Sequence, residues 1–278
     1  MTSRHQTKSI INDYRAQVLR NETCAEGIYR IRFECHELAR NSKPGQFINI
    51  RITDTYTPLL RRPFSIHRVD IDDGWVEILF DIRGKGTWIL SQVQPKECLN
   101  ILGPLGNAFT TDENKTVHLF VGGGLGIAPF LFLCQSFKEK RMSIKGFYGT
   151  KTHHQLCCLD DFAALGVPLH ITTEDGSRGN KGFITERLED YLMTHLDDAN
   201  KTVILSCGPA AMLRKIQNLS EKWGIDTQLS LETIMACGVG ICVGCAVETR
   251  NRKQDEEHYQ LVCKSGPIFS AEEVIIPG

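Results

Sequence analysis

The stretch VHLFVGGGLGIAPF, residues 117–130, decides the architecture. Its first five residues form an apolar run of strand length, and the glycines that follow let the main chain turn sharply. A helical pattern then runs from Ala128 to Lys138, with Pro129 suited to a first helical turn. Strand, glycine turn and helix in that order place free N–H groups at the strand's carboxyl end, where a pyrophosphate can be received. The run is not a G-x-G-x-x-G fingerprint with an acid about twenty residues later, so the ordinary dinucleotide reading fails. Taken alone it also reads, less strongly, as a tight strand–helix turn.

Working outward, the same alternation recurs. Residues 144–148, 169–173 and 203–206 read as buried strands, and residues 183–192 and 210–223 as helices, a rhythm that predicts a parallel, doubly wound sheet. Cys207-Gly208-Pro209 closes a second strand and lies at the same carboxyl edge, where open α/β sheets bind ligands. The loop TTEDGSR, residues 172–178, is a third strand end. Its acids could accept from ribose hydroxyls and Arg178 could meet a 2′-phosphate, so NAD versus NADP stays open. After Trp223 the rhythm is expected to stop.

Upstream the texture is different. Residues 28–33, 46–52 and 75–82 are short β-branched or aromatic runs separated by Lys43-Pro44-Gly45 and Asp72-Asp73-Gly74, which predicts a small antiparallel barrel. Arg62-Pro63-Phe64-Ser65 ends one strand and Gly84-Lys85-Gly86-Thr87 follows another. Arginine offers a planar fork to a phosphate, but on bare chemistry such residues more often form a solvated face. The expected units are a barrel over 15–110, a nucleotide-binding α/β domain over 111–223 and a cysteine-rich module over 224–278.

That module carries the sharpest pattern. Cys237, Cys242 and Cys245 form C-x4-C-x2-C, and Cys263 follows. A [2Fe-2S] cluster needs four thiolates, and a tight loop giving three plus one remote cysteine is the plant-type solution. Gly238, Gly240 and Gly244 let the loop wrap closely, with amides aimed at sulfur. A four-cysteine zinc site usually shows C-x2-C pairs, so zinc is the weaker reading, and coincidental structural cysteines the weakest.

Composition bounds the rest. The 278 residues are 41% hydrophobic with net charge −1 and eleven cysteines. No basic block is present to neutralise phosphates, which argues against nucleic acid. The uncharged stretches 118–134 and 233–247 are too short and glycine-broken to span a membrane. With no apolar leader in the first residues, the expectation is a cytoplasmic protein with cysteines reduced, buried or metal-bound.

In order and spacing, RPFS, GKGT, GGGLGIAPF and CGP resemble the ferredoxin–NADP reductase superfamily. The short gap from Cys245 to Cys263-Lys-Ser-Gly-Pro-Ile-Phe narrows the likeness to the electron-transfer subunits of dihydroorotate dehydrogenase B, as do PGQF (44–47), EDGS (174–177) with KGF (181–183), and MACG (235–238). The resemblance runs from about Ala16 to the C-terminus. It implies that Arg62, Pro63, Phe64 and Ser65 hold FAD and its phosphates, that Leu79, Phe80 and Asp81 line the flavin, and that Gly86 and Thr87 cap the pyrophosphate. Gly122, Gly123, Gly124 and Gly126, with Cys207, Gly208 and Pro209, would receive NAD(P). Cys237, Cys242, Cys245 and Cys263 would ligate the cluster. The implied partner is an FMN-containing dihydroorotate dehydrogenase catalytic subunit in a heterotetramer, with electrons passing from dihydroorotate to NAD in pyrimidine synthesis. The first fifteen residues have no counterpart, Arg178 replaces an expected uncharged residue, and Lys264 an expected acid.

No paired general acid and base stands out, which suits hydride transfer carried by a cofactor. Two other readings stay open: a subunit of a bifurcating ferredoxin:NADP oxidoreductase or sulfhydrogenase, and a non-catalytic zinc-bearing nucleotide sensor. His153 and Cys157 would share a helix face, but the default for them is a polar helix edge and a core cysteine. Cys24, Cys35, Cys98 and Cys134 are expected as buried small hydrophobes, Phe109 and Trp88 as core, and Glu232 as a surface acid.

Overall fold

A computed structural model describes residues 11–112, 114–250 and 258–276. The first half forms a closed barrel of β1 (Asn12–Ala25), β2 (Ile28–Glu34), β3 (Phe47–Arg51), β4 (Arg62–Asp70), β5 (Trp75–Asp81) and β6 (Cys98–Leu105), in spatial order β1-β2-β5-β4-β3-β6. All its pairings are antiparallel. Strand alternation sends Ile31, Phe33, Ile48, Ile50, Ile66, Ile78 and Phe80 inward to a common core. Each such buried side chain contributes about 2 kcal/mol. The short helices α1 (His36–Asn41) and α2 (Lys85–Ser91) add Leu38 and Leu90 to that core.

The second half contains β7 (Val117–Gly123), α3 (Phe130–Glu139), β8 (Lys145–Thr150), α4 (Leu159–Ala164), β9 (Leu169–Thr173), β10 (Asn180–Lys181), α5 (Ile184–His195), β11 (Thr202–Cys207), α6 (Ala210–Trp223) and β12 (Asp226–Ser230). They build a sheet ordered β10-β9-β8-β7-β11-β12, every neighbour parallel. Leu119 and Val121 face α5 and α6, while Phe120 stacks on Phe130 of α3 and lies 5.5 Å from Phe162 of α4. The strand order reverses between β7 and β11, so their carboxyl ends flank the crevice where such sheets take ligands.

Here the structure goes one element further than the sequence rhythm. β12 continues the parallel sheet beyond Trp223, hidden in the sequence because Asp226 and Gln228 fill its outer face and its buried face offers only Thr227 and Leu229. Gln228 turns outward and exchanges two hydrogen bonds with the backbone of Thr110. The cysteine-rich tail has a small ribbon, β13 (Ala246–Glu248) with β14 (Tyr259–Leu261), and then returns β15 (Ile268–Ser270) antiparallel against β12. The barrel begins at Asn12, a little before residue 15.

Barrel and sheet meet over a seam of ions and buried polar groups. Arg30 bonds Asp161 of α4 at 2.9 Å, and Glu77, fully buried, pairs with Arg32 at 2.9 Å. His67, also fully buried, donates from Nδ1 to the Ala128 carbonyl at 2.7 Å, since a carbonyl can only accept. Its Nε2 is therefore the bare nitrogen, 3.5 Å from the Cys158 sulfur.

Candidate functional site

The nucleotide edge is assembled by register. Cys207 of β11 lies opposite Gly122 of β7, which brings the two strand-end loops side by side. Their contact is tight: a Cβ on Gly126 would fall 2.2 Å from the Cys207 carbonyl oxygen. Gly122, Gly123, Gly124, Gly126, Cys207, Gly208 and Pro209 thus converge at one crevice, as expected for backbone that must approach a pyrophosphate. The third loop is prefolded as well. Asp175 accepts from the Ser177 amide at 2.9 Å and hydroxyl at 2.6 Å, bonds that hold its carboxyl below the usual range. The Arg178 amide donates to the Thr173 hydroxyl, leaving the exposed guanidinium uncommitted to that loop's backbone.

On the barrel, alternation sorts the expected flavin residues into two sets. Phe64 and Phe80 point into the barrel core, with ring centroids 5.7 Å apart, so they can offer a flavin only backbone. Ser65, Leu79 and Asp81 lie on the outer side of their strands, and Arg62 is half-buried at the first position of β4. Arg62 lies against the Gly86 turn: a Cβ there would stand 3.3 Å from its Nε. The Thr87 hydroxyl already accepts from the Arg83 amide at 2.8 Å and stabilises its own turn. Asp81 accepts from Arg83 Nε at 2.9 Å, and Glu232 lies close to both. Glu232 is exposed as a residue, yet its carboxyl is raised by loss of water in the cleft, with Asp81 adding and Arg83 opposing. It is more than the plain surface acid that its sequence position suggests.

The cysteine loop aims amides at sulfur. Val239 and Cys242 donate to Cys237 Sγ at 3.4 and 3.5 Å, and the Cys263 amide donates to Cys245 Sγ at 3.5 Å. Cys245 and Cys263 sulfurs approach to 3.3 Å. Burial raises the Cys237 thiol, but amide bonds from Val239, Cys242 and Ile241 outweigh it and bring it to about 6. Cys263 is pushed up to about 12 by burial and by Cys245 beside it. Among the described residues no three such side chains close to metal-binding distance, so two cysteines meet while Cys237 and Cys242 line the same loop just beyond. The donor chemistry fits an iron–sulfur cluster: thiols only, with backbone amides already directed at them.

Several secondary expectations change. Trp88 is 54% exposed, because α2 buries Leu90 instead, whereas Phe109 is core. Cys98 is exposed at the start of β6; Cys24 and Cys35 are half-buried, and Cys134 is buried. His153 belongs to a single 3-10 turn and stacks on His154, while Cys157 is buried against the Tyr148 hydroxyl, so the two share no helix face. Sequence reasoning missed Asn49 and Asn107, both of which bond the cysteine module from the barrel. The available signal was Asn49 itself, a polar residue between two isoleucines on a buried strand.

Barrel, switch-point sheet and thiol loop together define a nicotinamide-linked iron–sulfur oxidoreductase of the ferredoxin-reductase fold. Residues 120–218 match the oxidoreductase NAD-binding domain, and residues 232–275 match the iron–sulfur cluster binding domain of dihydroorotate dehydrogenase B. The dihydroorotate dehydrogenase B (NAD(+)) electron transfer subunit of Caldanaerobacter subterraneus subsp. tengcongensis is 38% identical, covering 94% of this chain and 98% of its own. That of Desulforamulus reducens is 34% identical, covering 94% and 97%. A solved NADH-dependent reduced ferredoxin-NADP oxidoreductase, described for flavin-based electron bifurcation, superposes with a TM-score of 0.81 at 27% identity, covering 94% of this chain and 90% of that one. The chain belongs to the family of dihydroorotate dehydrogenase B electron-transfer subunits.

Proposed function

We propose that this chain carries electrons between NAD and an FMN-containing dihydroorotate dehydrogenase catalytic subunit, in a cytoplasmic heterotetramer serving pyrimidine synthesis. When bound, FAD exchanges a hydride with nicotinamide and the [2Fe-2S] cluster takes electrons singly. The protein's part is to hold those groups in order. Arg62 and the Gly86–Thr87 turn would fix the flavin phosphates, and Ser65, Leu79 and Asp81 would face the ring, with Pro63 and the Phe64 and Phe80 backbone beneath it. The paired loops at Gly122–Gly126 and Cys207–Pro209 would present nicotinamide. Glu174 and Asp175 would accept from ribose hydroxyls, which supports NAD, while the exposed Arg178 in the same loop suits a 2′-phosphate.

Cys237, Cys242, Cys245 and Cys263 would hold the cluster near the surface. Around them Ile234, Ile241 and Val243 are 88%, 81% and 63% exposed. Apolar side chains so placed support a docked protein partner there. Among the described residues no helix is long and apolar enough to cross a membrane. The observation that carries the reading is the amide-lined thiol loop in a chain whose relatives, at 34–38% identity across nearly their full length, are these subunits. The 0.81 superposition supports a second reading, in which the partner is a bifurcating flavoprotein.

Anaerobic purification with the untagged partner tests both. Flavin bands with a cluster shoulder, bleached by dihydroorotate, are expected. Both bands present without that response would transfer the chain to the bifurcating reading, and a colourless zinc protein would end both.

A further inference from the structure

The cysteine loop is bonded from the barrel on both of its arms. On the first arm, Asn49 of β3, 1% exposed, donates from Nδ2 to the Cys237 carbonyl at 3.2 Å. On the second, Asn107, just past β6, donates to the carbonyls of Ser265 (2.9 Å) and Ile268 (2.7 Å). It also accepts from the Ile268 amide (2.9 Å), and its own amide donates to Gly266 (2.7 Å).

Asn49 stands opposite Pro63 on the neighbouring strand β4, next to Arg62 on the strand assigned to the flavin. Its side chain therefore joins β3, the strand hydrogen-bonded beside the flavin strand, to the backbone of a cluster cysteine. The loop is shaped to accept it: Gly238, at φ +70°, has no room for a Cβ, which would fall 2.0 Å from Asn49 Nδ2. Asn49 Oδ1 is buried without a hydrogen-bond partner, a loss of hydration that an apolar residue would avoid. Packing alone does not explain a polar side chain kept on those terms.

We infer that Asn49 is a positioning residue for single-electron exchange between flavin and cluster, with Asn107 securing the opposite arm. This rests on the function proposed above. By drawing the Cys237 carbonyl toward the barrel, Asn49 sets the distance between the two redox sites. It also sets the tilt of the peptide planes whose amides, from Val239 and Cys242, meet the Cys237 sulfur. The exchange oxidises one centre and reduces the other by one electron, and makes no bond to the protein. Hydride exchange at the nucleotide edge does not pass through this link.

The test uses the anaerobically purified complex with its cofactors, comparing wild type with Asn49→Leu and Asn49→Gln. Stopped-flow mixing with NADH should bleach flavin at the wild-type rate in Asn49→Leu, while cluster reduction slows roughly tenfold, the usual scale for losing a group that orients metal ligands. The reduced-cluster EPR spectrum and midpoint potential should shift, and amides 238–242 should exchange faster with deuterium. Asn49→Gln keeps the donor and should fall between the two. Wild-type cluster kinetics with an unchanged EPR spectrum in Asn49→Leu would overturn the inference. So would equal slowing of both phases, or loss of iron from Asn49→Leu and Asn49→Gln alike, each of which marks a general structural role. Wild-type protein lacking flavin or cluster would instead sink the function on which the inference stands.

Discussion

The nucleotide edge and the cysteine loop both depend on glycine, but for opposite ends. At the nucleotide edge Gly126 lets two strand-end loops touch, so the crevice is closed by backbone against backbone. In the cysteine loop Gly238 lets the chain settle on a side chain, Asn49, and the amides that result turn toward sulfur. The first arrangement is stiff because neither wall can yield. The second rests on side-chain amides, Asn49 on one arm and Asn107 on the other. A site that receives a diffusing nucleotide is built from the sheet itself, and a site that holds a resident cluster hangs from side chains.

The largest effect should come from the hanging site. Cys263→Ser or Cys237→Ser is expected to remove nearly all bound iron and sulfide, measured by elemental and sulfide analysis, while FAD is retained. If iron persists in both, the four-thiol assignment breaks. Next comes the stiff site. Gly126→Val forces a side chain into the Cys207 carbonyl and should destabilise by about 3 kcal/mol in urea unfolding, with a sharp loss of NADH affinity. Gly124→Ala, at φ +54° with open space around it, should cost only about 1 kcal/mol. Equal losses would erase the contrast between filled and open turn positions.

Arg62→Ala should weaken FAD retention by about 2 kcal/mol without changing iron content, read from flavin released on dilution. The smallest effect lies in the seam between barrel and sheet. Burial lowers the pKa of His67, with the Ala128 carbonyl opposing, so the folded protein keeps it neutral where the unfolded chain takes a proton. Stability should therefore be full above about pH 6.5 and fall as pH drops from there toward the folded value, by at most about 1.4 kcal/mol per pH unit for this group. His67→Gln should flatten part of that slope. His118 and His170, lowered by burial as well, leave the remainder.

Much of this was legible in the sequence, for definite reasons. The alternation of apolar runs with glycine turns announced the sheet, and β9 and α6 occupy the residues that periodicity indicated. Motif spacing announced which loops the fold brings together, at the β7–β11 edge and around the cysteines. It did not say which side of a strand each residue faces. RPFS reads as one unit, yet Ser65 leaves the barrel core while its neighbour Phe64 enters it. β12 was hidden because its outward Gln228 serves a loop across the molecule. Asn107 belongs to no recognisable motif, and its partners lie about 160 residues away, a separation that local pattern cannot see.

The return of β15 to the edge of the sheet has a further consequence. The cysteine module is stitched to the nucleotide sheet at Gln228–Ser270, Leu229–Phe269 and Ser230–Ile268, so it is no detachable bead on a string. Removing it would strip β12 of a neighbour and bare a row of unpaired peptide groups, an invitation to aggregation. Shortened versions of the chain meant to isolate nucleotide chemistry should therefore keep the last strand, even where every thiol is replaced.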